Sequence, residues 1–104
     1  MFTLCIRYTI NPDQLADFES YAKALPPIVE RCGGRFISYY LPTKFAGPTD
    51  TAYGLIDFPT LAAYEEYRGK LAADPGGAEA ARRVEQSGCI TREERSFLRR
   101  AIDR

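Results

Sequence analysis

From its second residue the chain alternates, with Phe2, Leu4, Ile6, Tyr8 and Ile10 on one register and Thr3, Cys5, Arg7 and Thr9 on the other. A period of two marks a strand with one buried face. The pattern then changes. Asn11 offers a helix N-cap, Pro12 suits the first helical position, Gln14 completes a capping-box pattern, and Ile10 and Leu15 occupy the two staple positions. Leu15, Phe18, Ala22, Leu25, then Ile28 or Val29, and finally Cys32 follow at helical spacing. Pro26 and Pro27 interrupt that stripe. A proline deep in a helix costs about 3 kcal/mol, so a kink or restart is expected near Leu25. Gly33 and Gly34 close the helix.

The next strand, about Arg35 to Leu41, poses a question. Ile37, Tyr39 and Leu41 are apolar on one register, while Phe36 and Tyr40 are apolar on the other. Pro42 to Asp50 reads as a hairpin-type loop and Thr51 to Phe58 as a third strand. Thr60 then caps a helix whose stripe is Leu61, Tyr64, Arg68 and Leu71, with Tyr67 on its flank. Asp74-Pro75 begins a short helix through Ala78, Ala81 and Val84, closed near Gly88, and a fourth strand is expected over roughly Glu93 to Ile102.

The order is β-α-β-β-α-β, the ferredoxin-like arrangement: an α+β fold with a four-stranded antiparallel sheet and its helices on one face, in a single domain over residues 1–104. The uncovered face is expected to expose Phe, Tyr, Leu and Ile beyond what soluble monomers tolerate. Two sheets packed face to face would bury it, so the expected partner is a second copy of the chain, in a homodimer forming a dimeric α/β barrel.

Composition narrows the function. Fourteen basic and fourteen acidic residues give zero formal net charge, so nothing global attracts nucleic acid or an anionic membrane. The seven arginines among residues 82–104 face only Glu85, Glu93, Glu94 and Asp103, which makes the C-terminal segment locally basic. Cys5, Cys32 and Cys89 are odd in number and widely spaced, as free thiols of a reducing compartment would be. With no leader or membrane span expected, the reading is a cytoplasmic protein. There is no histidine. That removes the usual general base, the usual haem and zinc ligand, and every Ser–His or Cys–His dyad. No metal site and no cofactor is expected, and Gly33-Gly34 and Gly76-Gly77 lack a dinucleotide-binding frame.

Specific stretches resemble a known family over nearly the whole chain. These are Arg7-Tyr8 followed by Pro12, the Gly33-Gly34 pair ahead of an aromatic strand, the Asp74-Pro75 break, and Phe97-Leu98-Arg99 near the end. The resemblance is to the NIPSNAP family of dimeric α/β-barrel proteins. The wider superfamily that it implies includes cofactor-free antibiotic-biosynthesis monooxygenases, haem-degrading enzymes and small isomerases, along with many members without an assigned activity. The chain lacks the histidine and tryptophan that the haem-degrading relatives use, so haem is not expected.

One candidate function is therefore binding or transformation of a small organic ligand, either between the sheet and its helices or within the dimer barrel. Arg7 at a strand centre, with Tyr39, Tyr40 and Tyr53, forms the candidate substrate-binding set; Arg7 would hold a carboxylate or enolate oxygen. Arg7, Tyr39 and Tyr53 are the catalytic candidates, a phenol of lowered pKa being able to move a proton. The plainer alternative pairs Arg7 with Asp57 or Glu94 and leaves the tyrosines to core and interface. A second class is a non-catalytic dimeric interaction module. A third is an RNA-binding domain, since Thr51 to Phe58 partly follows an RNA-recognition motif, with Phe2 as the companion stacking ring. Thr51, Ala52 and Leu55 depart from that motif where it carries binding.

Overall fold

A computed structural model describes residues 1–102. The strand β1 (Phe2–Ile10) runs at the centre of the sheet, and its even-numbered residues Leu4, Ile6, Tyr8 and Ile10 are all buried. A single 3-10 turn, Pro12–Gln14, precedes α1 (Leu15–Arg31). The chain continues through β2 (Arg35–Tyr40), β3 (Thr51–Phe58), α2 (Leu61–Ala73), α3 (Pro75–Ser87) and β4 (Ile90–Leu98). The sheet order is β2-β3-β1-β4, with every pair antiparallel, as the ferredoxin-like reading requires.

Several local expectations are corrected. Asn11 does accept a hydrogen bond, from Asp13 N, but Gln14 does not complete a capping box, and its Oε1 is buried without a partner among the described residues. The 3-10 turn intervenes and moves Gln14 off the third position of α1. Neither does α1 restart at its prolines. It runs unbroken through Pro26 and Pro27, because Leu25, Ile28 and Val29 on either side are buried and their packing holds the turn that the missing donors weaken. The final helix is no shorter than α2, each having 13 residues. Its inward residues are Ala80 and Val84 rather than Ala78 and Ala81, and on α2 they are Tyr64 and Tyr67 rather than Leu61 and Arg68. The last strand begins at Ile90 and stops at Leu98, which pairs with Thr3; β1 offers little ladder beyond that point.

The question posed by β2 is answered by a bulge. The register with β3 slips between Phe36 and Ser38, so Ile37 is the extra residue. Phe36 and Tyr39, three apart, thereby share the helix-facing side, with ring centroids 5.3 Å apart. Tyr40 turns to the open face.

That open face differs from expectation. Its cross-strand rows are Tyr40, Tyr53, Arg7 and Glu94; then Ser38, Leu55, Cys5 and Ser96; then Arg35, Asp57, Thr3 and Leu98. It is a mixed surface, not a continuous apolar one, because the long aliphatic register of β1 faces the helices. Phe2 lies on the helix side too, against Phe58, Tyr64 and Phe97. The ring expected to stack RNA beside Thr51–Phe58 is therefore on the wrong face for that role. No helix among the described residues is long and apolar enough to cross a membrane.

Candidate functional site

Register decides which of the four candidate residues meet. Tyr53 is directly opposite both Arg7 and Tyr40, so these three lie in one row on the open face, and Glu94 extends it beyond Arg7. Arg7, Tyr40 and Tyr53 are exposed. The carboxylates expected to pair with Arg7 are engaged elsewhere: Glu94 with Arg92 at 3.0 Å, and Asp57 with Arg100 at 2.9 Å. Tyr40 and Tyr53 also line a shallow pocket of about 210 Å³ beneath the β2–β3 loop, with Pro42 and Pro48.

Tyr39 is separated from the other three by the thickness of the sheet. It lies directly opposite Gly54 and within an aromatic cluster, 6.1 Å from Tyr8, 6.3 Å from Phe18 and 6.2 Å from Tyr21, measured between ring centroids. Burial pushes the Tyr39 phenol up. Burial, followed by the charges of neighbouring phenols, also pushes up Tyr8 and Tyr21. Tyr67, raised first by burial and then by Tyr21, stands at about 12. At neutral pH these groups are hydrogen-bond donors and acceptors, not bases.

Tyr21 connects this cluster to a groove. Between α1 and α3 lies a cavity of about 530 Å³, open to solvent, whose walls include Tyr21, Ala24, Ala80 and Val84. Asp17, Glu79 and Arg83 lie on its rim, and Arg83 is already paired with Glu79 at 3.1 Å. The two helices are also tied at their ends. Arg31, in the last turn of α1, donates two hydrogen bonds to Asp74, whose carboxylate caps α3 through Gly76 N and Gly77 N. The groove thus sits between elements held by an ion pair as well as by packing.

A third cluster escaped the sequence reading. On the helix side of β4, Arg95 points at Tyr64 of α2, its Nη1 lying 3.5 Å from the phenol oxygen. Arg68 Nη1 donates to the same oxygen at 3.0 Å. Burial pushes the Tyr64 phenol up, but the hydrogen bonds from Arg68 and Arg95 outweigh it and leave the group more acidic than an ordinary tyrosine. A phenol of lowered pKa, the chemistry sought among the tyrosines, is thus present at Tyr64. Half of this was visible: Tyr64 and Arg68 stand at i, i+4 on a helix, where side chains meet. Arg95 could enter only through sheet register.

These features define an α+β sandwich of one sheet and one helix layer, with aromatic and arginine clusters on its helix side. The model of the NIPSNAP family matches residues 3–102, and the chain belongs to that family. Among solved structures it is similar to a NIPSNAP family protein of unknown function from Agrobacterium tumefaciens, at 19% identity over 97% of this chain and 88% of that one, with a TM-score of 0.83. An uncharacterised NIPSNAP domain protein from Burkholderia xenovorans shares 17% identity over 97% of this chain and 95% of that one, with a TM-score of 0.79. A chain from Bordetella bronchiseptica, provisionally classed as an antibiotic biosynthesis monooxygenase, shares the fold at 13% identity over 97% of each chain, with a TM-score of 0.75. No curated protein matches the sequence.

Proposed function

We propose that this chain binds a small, largely apolar organic ligand in the groove between α1 and α3, with Tyr21 presenting the wall that joins the groove to Tyr8 and Tyr39. One observation carries the reading: a cavity of about 530 Å³, within the range of small-molecule sites, meets a hydrogen-bonding phenol cluster through a single shared side chain. Its charged rim is largely self-paired, which favours a neutral ligand carrying a hydroxyl or carbonyl, such as a quinone or an enol. The fold shared with the Bordetella chain supports assaying oxygen uptake with hydroquinones and no added cofactor, the monooxygenase-like form of the proposal; an isomerase-like form would appear as cofactor-free interconversion of enol and keto tautomers.

The test is a thermal-shift and calorimetric panel of quinones, enols and neutral phenols, with Ala24→Trp as the blocking variant. Ala24 is exposed, so a bulky residue there fills the groove without overpacking the core. A probe that binds the native protein and not the variant supports the reading. Panel-wide absence of binding, or equal binding by the variant, removes it.

Assembly belongs to the same proposal. Ile37, Tyr40, Tyr53 and Leu98 are exposed on the strands or at the bulge, and the row containing Arg7 and Glu94 is self-complementary under a two-fold axis. A homodimer through this face would give Arg7 the carboxylate partner it does not have among the described residues, and would make Arg7, Tyr40 and Tyr53 interface residues. Light scattering on Arg7→Glu decides it: loss of a dimer that the native chain forms supports this seam, and a native monomer refutes it. The free thiols of Cys5, Cys32 and Cys89 fit the cytoplasm as its compartment.

A further inference from the structure

We infer that Tyr64, Arg68 and Arg95 form a second ligand site, separate from the groove, that recognises an amphipathic organic carboxylate: its head between the two guanidiniums and its apolar body over the exposed ring of Phe97. None of these residues lines the α1–α3 cavity, so the inference stands independently of the function proposed above.

Charge is the first support. Both guanidiniums lie within hydrogen-bond distance of one phenol oxygen, at 3.0 and 3.5 Å, and that oxygen carries no full charge to neutralise them while it remains protonated. Arg68 forms no ion pair with a carboxylate among the described residues. Among the described residues Arg95 has only Glu93, at 3.4 Å. The donors of the two guanidiniums that neither Tyr64 nor Glu93 engages among the described residues can take an anion. A carboxylate matches the planar guanidinium fork in a way that a single-point acceptor cannot.

Shape is the second. Tyr64 is 9% exposed and its ring is fixed by Phe58 at 5.3 Å and Phe97 at 5.1 Å, so the phenol is rigidly presented. Phe97 is 53% exposed and stands two residues from Arg95 on the same face of β4. Consecutive same-face positions on a strand are about 7 Å apart, the distance from a carboxyl group to the middle of a short acyl chain or an aryl ring. The site lies on the helix side of the sheet, so pairing of the open faces leaves it accessible. The phenol's heightened acidity agrees with the two guanidiniums that donate hydrogen bonds to it.

Titration calorimetry on the full chain with octanoate and 4-phenylbutyrate, each set against its primary amide, tests the inference. The carboxylates are expected to bind at least tenfold more tightly than the amides, and to weaken as salt is raised. Arg68→Ala and Arg95→Ala should each lower carboxylate affinity about tenfold or more and so narrow the difference between acid and amide. Bound carboxylate should also raise the pH at which Tyr64 ionises, followed in near-ultraviolet absorbance as the difference between the native chain and Tyr64→Phe. Equal binding of acid and amide, or folded arginine variants that bind the acids like the native chain, would overturn it. Ala24→Trp should leave this binding intact, which separates failure here from failure of the groove proposal.

Discussion

Replacing Gly54 with alanine probes how tightly the sheet and the phenol cluster are built together. Gly54 lies on β3 directly opposite Tyr39 on one neighbour and Ile6 on the other. A β-carbon there would lie 2.6 Å from Tyr39 Cε1, 3.0 Å from Cδ1 and 3.4 Å from Tyr8 Cε2. Ordinary carbon contacts are about 3.5–4.0 Å, so the Tyr39 ring would have to withdraw by about 1 Å. It has little room to do so, with Phe36 at 5.3 Å, Tyr8 at 6.1 Å and Tyr21 at 6.2 Å between centroids. Overpacking of this kind costs about 1–3 kcal/mol, while alanine in a strand recovers roughly 0.5–1 kcal/mol of backbone entropy. The expected net loss is about 1–2 kcal/mol, read as a lower urea midpoint at constant slope. In a Tyr39→Ala background the clash partner is gone, and Gly54→Ala should become neutral or stabilising. An unchanged loss in that background, or a Gly54→Ala variant as stable as the native chain, would refute the contact as the cause.

Other substitutions test the remaining structural claims. Pro27 is exposed within α1, so Pro27→Ala should restore a helical donor without removing packing and stabilise the chain by about 1–2 kcal/mol in chemical denaturation. Asp57 is 1% exposed and accepts hydrogen bonds from Thr3 and Arg100. Arg100→Ala should therefore cost about 1–2 kcal/mol, and adding Asp57→Asn should recover part of the loss because the stranded charge is removed. Alkali should unfold the protein through its buried phenols. Their raised pKa means that the folded state holds protons which the unfolded chain releases, so stability is complete below the ordinary 10.0 and falls as pH climbs through about 12 for Tyr67. Tyr64 runs the other way: its lowered pKa adds stability as pH rises toward 10.0. Far-ultraviolet dichroism against pH should show loss of structure only above 10.0, preceded in Tyr64-containing chains by an early tyrosinate absorbance that Tyr64→Phe abolishes.

Much of the fold was legible because its determinants are local. The alternation of Phe2 to Ile10 placed Leu4, Ile6, Tyr8 and Ile10 on one buried face. Asn11, Thr60, Asp74 and the Gly33-Gly34 pair marked element ends through capping and turn chemistry that acts over a few residues. The Gly33-Gly34 pair and the Asp74-Pro75 break also carried the resemblance to the NIPSNAP family, whose model matches residues 3–102.

What the sequence left open depended on distances in space. Alternation says that Arg7 and Tyr39 each face one side of a sheet, but whether it is the same side depends on pairing and on the extra residue at Ile37. That bulge reversed the expected side of Phe36 relative to Tyr39 and split the candidate set, leaving Arg7, Tyr40 and Tyr53 on one face and Tyr39 on the other. The open face proved mixed because the longest apolar register turned toward the helices, a choice made by the burial of the whole sheet. Arg95 and Tyr64, 31 residues apart, meet because β4 pairs with β1 in one register and α2 packs across it. Local propensity encodes which residues alternate and where elements end; only the cooperative packing of sheet against helices selects which alternate faces which neighbour.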